Sequence, residues 1–224
     1  FAVPEASRTG PRLHAAAARL GWMCYGKERW AAPRIDLVAE RNRALEAANG
    51  RRVSKRDRYF CRHGSLELRE FDRPDEIRRR LDTFFEQHVE RWAFVGEVSP
   101  FADAARRRFF DEVTRCTGDT GWPKLTWLEW KDRPIACEFG WVYRGTYFAE
   151  ASCFDVALAP RSPGQVLQRR LVLAVLRDGL AAYDFGTGDH PYKLQYATEV
   201  NHVETWGLMP EAPGGSAGVG EARS

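Results

Sequence analysis

The sequence predicts an α/β protein on a mixed sheet, and three observations carry that prediction. Three β-rich runs, "KLTWLEW", "PIACEFGWVY" and "TYFAEASCF", are separated only by "KDR" and Arg144-Gly145, connections short enough to demand an antiparallel meander. Helical patterns with clear end signals lie on both sides of the meander. From residue 65 onward the order reads β-α-α-β-β-β-α-β-α-β, the alternation of a layered α/β domain. With 224 residues and 44% hydrophobic content, the chain can bury a sizeable core, as one large domain or one domain plus part of another.

Before residue 65 the chain shows one short helical pattern, "PRLHAAAARLGW", then turn-rich sequence to about residue 35. Residues 36–58 read as a basic helix interrupted at Asn49-Gly50. The stretch 41–62 carries eight Arg/Lys against two acids, which suits a solvated helix face or a phosphate-bearing partner. "SLELREF" alternates as a strand should. In "PDEIRRRLDTFFEQHVERW", Ile77, Leu81, Phe84/Phe85, His88 and Trp92 fall at helical spacing. Pro74 sits in the first turn with two acids behind it, as the helix dipole favours. "PFADAARRRFFDEVTRCTG" is the next helix, ending at Gly118.

The middle run of the meander sets Ile135, Cys137, Phe139, Trp141 and Tyr143 against Ala136, Glu138, Gly140 and Val142. Both series are largely apolar, so this strand is expected to be covered on two faces. In "RSPGQVLQRRLVLAVLRDG", Ser162 is the expected N-cap, Pro163 the first helical residue and Gln165 its capping-box partner. Val166, Leu167, Leu171 and Val175 form the apolar stripe, and Gly179 stops the helix. "AAYDF" is a short strand, 191–197 a short helix and "HVETWGL" a closing strand; 210–224 has the composition of a disordered tail.

Several classes are excluded. Five cysteines without a C-x-x-C pair support neither zinc ligation nor a disulfide framework, and point to reduced thiols in a cytoplasmic protein. No run approaches a membrane span. Phe1 begins no signal pattern, which fits a piece cut from something longer. Asp184-Phe185-Gly186 matches three kinase letters, but the H-R-D loop, glycine-rich loop and strand lysine do not accompany it. Gly186-x-Gly188 alone is too short for a dinucleotide fingerprint.

Four segments in order resemble the acetyltransferase family related to bacterial cellulose-biosynthesis CelD proteins, grouped with the FemAB-like peptidyltransferases of the GNAT superfamily. They are "FFEQHVERW", "WLEWKDRPIACEFGWVY", "SCFDVALAPRSPGQVL" and "DGLAAYDFGTGDHPYKLQY", within a likeness covering residues 65–208. The resemblance implies a GNAT-type acyltransferase fold, acyl transfer to an amine, and a twin-GNAT arrangement of which this is the second half. Residues 1–60 would then be the end of the first half with a connecting basic helix, and 61–209 the transferase domain. Ordinary GNAT enzymes carry an Arg/Gln-x-x-Gly-x-Gly/Ala loop where this chain has "RSPGQV". That departure leaves the donor open between acyl-CoA, acetyl-CoA above all, and the aminoacyl-tRNA of FemAB-like relatives.

Acyl transfer to an amine needs a neutral nucleophile and a stabiliser for the developing oxyanion. Glu138, mid-strand among apolar neighbours, is the expected general base, since burial raises a carboxyl's pKa. Lys193 matches the family's aromatic-Lys signature and could supply positive charge, or could merely be a solubilising surface lysine. Asp184 could orient Lys193 or take the amine proton, or simply cap the loop amides at Gly186 and Gly188. Ser162, Pro163, Gly164 and Gln165 open a helix whose N-terminal amides suit the donor's phosphates. Trp141, Tyr143, Tyr147 and Tyr192 are candidate walls of an acceptor groove, though aromatics at strand spacing also serve as core. His88 and His190 read as packed and bystander residues.

Glu150 is the rival carboxylate. A two-residue turn at Arg144-Gly145 places Glu138 opposite Ala151 and Glu150 opposite Phe139, on different faces; a three-residue turn places both acids on one. The expected function is an N-acyltransferase acting on an amine of a sugar, amino acid or peptide precursor, in envelope or exopolysaccharide biosynthesis. The alternatives are an aminoacyl-tRNA-dependent transferase or a non-catalytic binding module of the same fold. The partners expected are a small-molecule or peptide amine and, for the second reading, tRNA. No DNA and no metal are expected.

Overall fold

The structure, a computed structural model, describes residues 2–210. The expected tail lies outside the described residues apart from Pro210. The chain divides into two compact units, one of residues 33–199 and one formed by residues up to 32 together with those from 200 on.

In the smaller unit, β1 (Ala2–Pro4) is followed by α1 (Thr9–Arg19) and by β2 (Trp22–Asp36), which runs on into the larger unit. The expected turn-rich segment is thus a long strand. The sequence hides it because its charged residues, such as Glu28 and Arg29, break any alternation. Its large residues Trp22, Met23 and Trp30 stay substantially exposed.

The larger unit holds α2 (Arg41–Ala48) and α3 (Arg51–His63), broken at Asn49-Gly50 as predicted. It continues with β3 (Leu66–Phe71), α4 (Pro74–Ala93) and α5 (Ala104–Thr117). Asp103 caps α5 by accepting the Ala105 N–H at 2.8 Å, so "PFA" before it is a separate single turn. Then come β4 (Pro123–Trp130), β5 (Arg133–Tyr143) and β6 (Thr146–Phe154), followed by α6 (Pro163–Arg177), β7 (Ala182–Asp184), α7 (Pro191–Leu194) and β8 (Glu199–Pro210). In the smaller unit, β8 pairs antiparallel with β1, Pro4 opposite Val203.

Within the larger unit the last residues of β2 pair with β7, which lies beside β6; β5, β4 and β3 follow in order. Only β6 and β7 run parallel, as a β6–α6–β7 crossover requires, so the sheet is mixed. Each face carries its own core. Ala136 and Val142 of β5 belong to one built around Phe60, Leu171, Val175 and Tyr183; Cys137 and Phe139 belong to the other, with Ile77, Phe84, Phe101 and Phe110. The central strand is covered on both sides, as its twin apolar series predicted. α2 and α3 pack on α6, and their Ala44, Ala48 and Phe60 are fully buried in the first of these cores. The boundary therefore falls at residues 32/33, not near residue 60, because the basic helices carry an apolar stripe into the same core.

Candidate active site

Glu138 lies on the α6 side of β5 and is 2% exposed. Burial pushes its carboxyl pKa up to about 7, against the lowering effect of the neighbouring Tyr183 and Tyr147 hydroxyls and the Lys193 ammonium. Tyr183 donates to Glu138 Oε1 at 2.5 Å. Tyr147 stacks on the Tyr183 ring at 4.9 Å and leaves its own hydroxyl without a well-formed hydrogen bond. The carboxyl is thus held by one strong bond and otherwise desolvated, poised to exchange a proton near neutral pH.

The hairpin beside it resolves the question of the two acids. The β5–β6 turn has two residues, with Tyr143 opposite Thr146, yet Glu138 stands opposite Ser152 rather than Ala151. A β-bulge accounts for the shift: Phe139 pairs with Ala151 and Gly140 with Ala149, leaving Glu150 as the extra residue. The bulge reverses the faces of everything beyond it, so Tyr147 and Ala149 join Glu138's side. Gly140 makes this possible, since a Cβ there would stand 2.5 Å from the Tyr147 hydroxyl. The expected two-residue turn is present, but the pairing it implied is overturned: Glu138 faces Ser152 and Glu150 faces no residue. Both acids line one cavity, Glu150 beside Arg106 of α5.

That cavity measures about 220 Å³. Its charged wall is Glu138, Glu150, Arg106 and Lys193, and Trp92, Phe101 and Tyr192 supply aromatic surface. Arg106 pairs with Glu150 at 3.3 Å. Lys193 is 6% exposed, which corrects its reading as a solubilising surface lysine. Its Nζ donates to the Thr187 carbonyl at 2.5 Å. Burial lowers its pKa, opposed by the charges of Glu138 and Asp184. Asp184 accepts the Gly186 N–H at 2.8 Å and does not line the cavity. It is a loop cap whose charge reaches Lys193, and burial raises its pKa. His88 also faces the cavity; its Nδ1 is 2.9 Å from the Ser99 hydroxyl, and burial drives its pKa down to about 4.

A second cavity, about 720 Å³, shares Glu138, Trp92, Ser152, Gln168, His190 and Tyr192 with the first. It extends past Arg91 to Ser162, Gly164 and Gln165 at the start of α6. The capping box expected there is absent. Ser162 has φ +54° and ψ 56°, outside the extended conformation an N-cap hydroxyl needs, and makes no side-chain cap. The Gln165 side chain accepts from Arg56 instead. The helix start thus lies beside a long cleft without a side-chain cap. Ser162 N–H donates to the Ala159 carbonyl and Gln165 N–H to the Ser162 carbonyl. Pro163 has no N–H, and Gly164 N–H lies at the dipole's positive end, which favours an anionic group. Pro163 is buried beneath this end.

Of the other predicted groove residues, Tyr192 lines both cavities and burial raises its pKa to about 12. Tyr147 is core. Trp141 packs edge-on to Phe139, and the exposed Tyr143 edge-on to Trp122, neither lining either of these two cavities. Sequence reasoning missed Gln168, which is 5% exposed and lines both cavities. Its signal was available: position 168 lies on the α6 apolar stripe with Leu167, Leu171 and Val175, where a polar side chain is out of place. Among the described residues no cluster of three or more His, Cys, Asp or Glu could hold a metal, and no helix is long and apolar enough to cross a membrane.

On a mixed α/β sheet, two ligand-sized hollows thus meet at one buried carboxyl. Residues 48–194 match the acetyltransferase (GNAT) domain family, and the chain belongs to that family. Among solved structures, it is similar to the C-terminal domain of a putative lysylphosphatidylglycerol synthetase from Agrobacterium fabrum, with 13% identity, TM-score 0.55, and coverage of 87% of this chain and 65% of that one. FemX matches at 10% identity and TM-score 0.60, covering 90% of this chain and 69% of that one. A GCN5-related glucosamine N-acetyltransferase region of a fungal multi-domain β-N-acetylglucosaminidase matches at 10% identity and TM-score 0.53, covering 92% of this chain and 24% of that one. The chain thus spans about two-thirds of the first two. At these identities the likeness is one of fold. No protein with a curated description matches the sequence.

Proposed function

We propose that this chain is an N-acyltransferase that brings an acyl donor lying in the larger cavity to an amine held in the smaller one. The observation carrying this reading is the position of Glu138: buried, with a pKa of about 7, at the wall common to both cavities. A base near the working pH is the one best suited to take a proton from an attacking amine. Lys193, with Asp184 behind it, supplies positive charge on the acceptor side. Tyr192, Glu150 and Arg106 orient the acceptor.

On the donor side, the cleft ends at Ser162, Gly164 and Gln165, where the positive end of the α6 dipole and the Gly164 N–H suit an anion, and the larger cavity has about three times the volume of the smaller. These features fit the phosphates and extended arm of acyl-CoA, which supplies the activated acyl group when bound. The acceptor is an amine of a sugar, amino acid or peptide precursor, and we place the reaction in cytoplasmic envelope or exopolysaccharide metabolism.

One observation favours a charged tRNA as donor. Arg43, Arg51, Arg52, Lys55, Arg58 and Arg62 are exposed on α2 and α3, and such a surface binds polyphosphate in a salt-dependent way. A thermal-shift and transfer screen with acetyl-CoA, longer acyl-CoAs and aminoacyl-tRNA decides between the donors, since a ligand of the native state raises Tm. Stabilisation and amine acylation with a CoA thioester is the expected result. Salt-sensitive binding of charged tRNA with transfer would replace the donor. Binding without any turnover would leave a non-catalytic module and sink the enzymatic reading.

A further inference from the structure

Most buried polar groups in a folded protein have a partner, and one that does not asks for a reason. Gln168 Nε2 has none. The side chain lies in the second turn of α6, 5% exposed, between the fully or nearly buried Leu167 and Leu171. The Tyr183 hydroxyl oxygen, which donates its own proton to Glu138 Oε1, is close enough to feel the Gln168 amide, but the amide N–H makes no hydrogen bond of proper geometry with it. Among the described residues, several buried side-chain donors lack a partner, but only Gln168 also lines both cavities. An apolar side chain would pack this stripe without leaving an amide desolvated. The position therefore makes sense if a partner arrives with the ligand.

Resting on the acyl-transfer reading above, we propose that the Gln168 amide N–H holds the carbonyl oxygen of the acyl group and stabilises the oxyanion that develops on it. The reacting carbon must be reached by the donor from the larger cavity and by the amine from the smaller. Gln168 and Glu138 both stand on that shared wall. Lys193 lines only the smaller cavity and already donates to the Thr187 carbonyl.

The lone pair of the neutral amine forms the N–C bond, and the carbonyl π pair moves onto oxygen, where the Gln168 N–H meets it. Glu138 carboxylate takes one proton from the amine nitrogen. Collapse restores the carbonyl and breaks the C–S bond, whose electron pair leaves with the thiolate. Glu138 returns the proton to that sulfur, giving an amide and a free thiol.

The test compares Gln168→Met, close in shape but without the donor, with the wild-type protein. Steady-state transfer from acetyl-CoA is measured to whichever amine of the screen the wild type acylates, together with Tm. Expected are a fall in kcat of about 10²–10³-fold, a donor KM within about threefold, and an unchanged or higher Tm, because the orphaned amide has been removed. Activity and stability then move in opposite directions, which a structural glutamine would not produce.

A kcat within threefold of wild type overturns the assignment. So does a raised donor KM at unchanged kcat, or a Tm loss that Gln168→Leu reproduces. Wild-type protein inactive with every donor and amine overturns the acyl-transfer reading itself, an outcome seen before any variant is made.

Discussion

The two cavities that meet at Glu138 are built from different materials. The smaller is a charged chamber in which Arg106, Glu150 and Lys193 are already committed to one another or to backbone. The larger is a long cleft ending at a helix start, with small residues such as Ala159, Ser162 and Gly164 along it. Charge fixed by partners is what an amine and its reaction need, because preorganised groups do not have to reorient as charge moves. A wide, small-residue cleft ending at the positive end of a helix dipole is what a long donor with phosphates needs, because backbone must be approached closely. The smaller cavity should therefore control turnover and the larger one donor affinity.

The change that strikes both sides at once is Glu138→Gln. It should lower kcat about 10²–10⁴-fold, the usual weight of a positioned base. The wild-type kcat/KM should rise with pH through about 7 as the carboxyl ionises, and a flat profile would remove Glu138 from the mechanism. Stability should move the other way. A carboxyl whose folded pKa is raised stabilises the native state fully below its unfolded value, and that contribution disappears as pH rises through the folded pKa. From 4.5 to about 7 the loss amounts to about 3 kcal/mol. Glu138→Gln should therefore melt higher than wild type at pH 8 and close to it at pH 5.

Next in size is Lys193→Met, isosteric and apolar, for which a fall in kcat of about 10–100-fold with little change in donor KM is expected. An effect confined to donor KM would erase the distinction between the cavities. On the donor side, Gly164→Val places side-chain atoms where a Cβ alone would be 3.2 Å from Phe154. It should raise donor KM about tenfold while kcat at saturation stays within about threefold. The smallest effect belongs to Arg106→Ala, whose exposed pair with Glu150 should change acceptor KM by only a few-fold, and less at high salt.

The parts of this molecule readable in its sequence are those where one periodicity governs a whole element. α4 and α6 bury a continuous stripe, and the meander strands are long apolar-rich runs joined by tight turns, so their existence and order agree with the pattern even where bulges shift the register. β2 escaped because much of its length, including Trp22, Met23 and Trp30, is exposed, and burial begins only at its end, with Ala32 and Ile35. The site was readable as chemistry more than as geometry: an acid among apolar residues announced Glu138, but burial of Lys193 depends on the loop at Thr187. Ser162 was misread because the residue type suits a cap while its left-handed backbone forbids one. Gln168 was overlooked because a glutamine in a helix reads as surface until the stripe is traced through it.

The bulge at Glu150 has a consequence for inheritance. Substitutions there touch one partly exposed side chain, so many residue types can stand at that position. Loss of the residue would leave the ladder in step: Phe139 would still face Ala151 and Gly140 Ala149, so Tyr147 and Phe148 would keep their sides of the sheet. What would vanish is the kink that an unpaired residue puts into a strand, together with the Glu150–Arg106 pair. In descendants of this chain, a shortened β6 could keep its core while the mouth of the smaller cavity is reshaped.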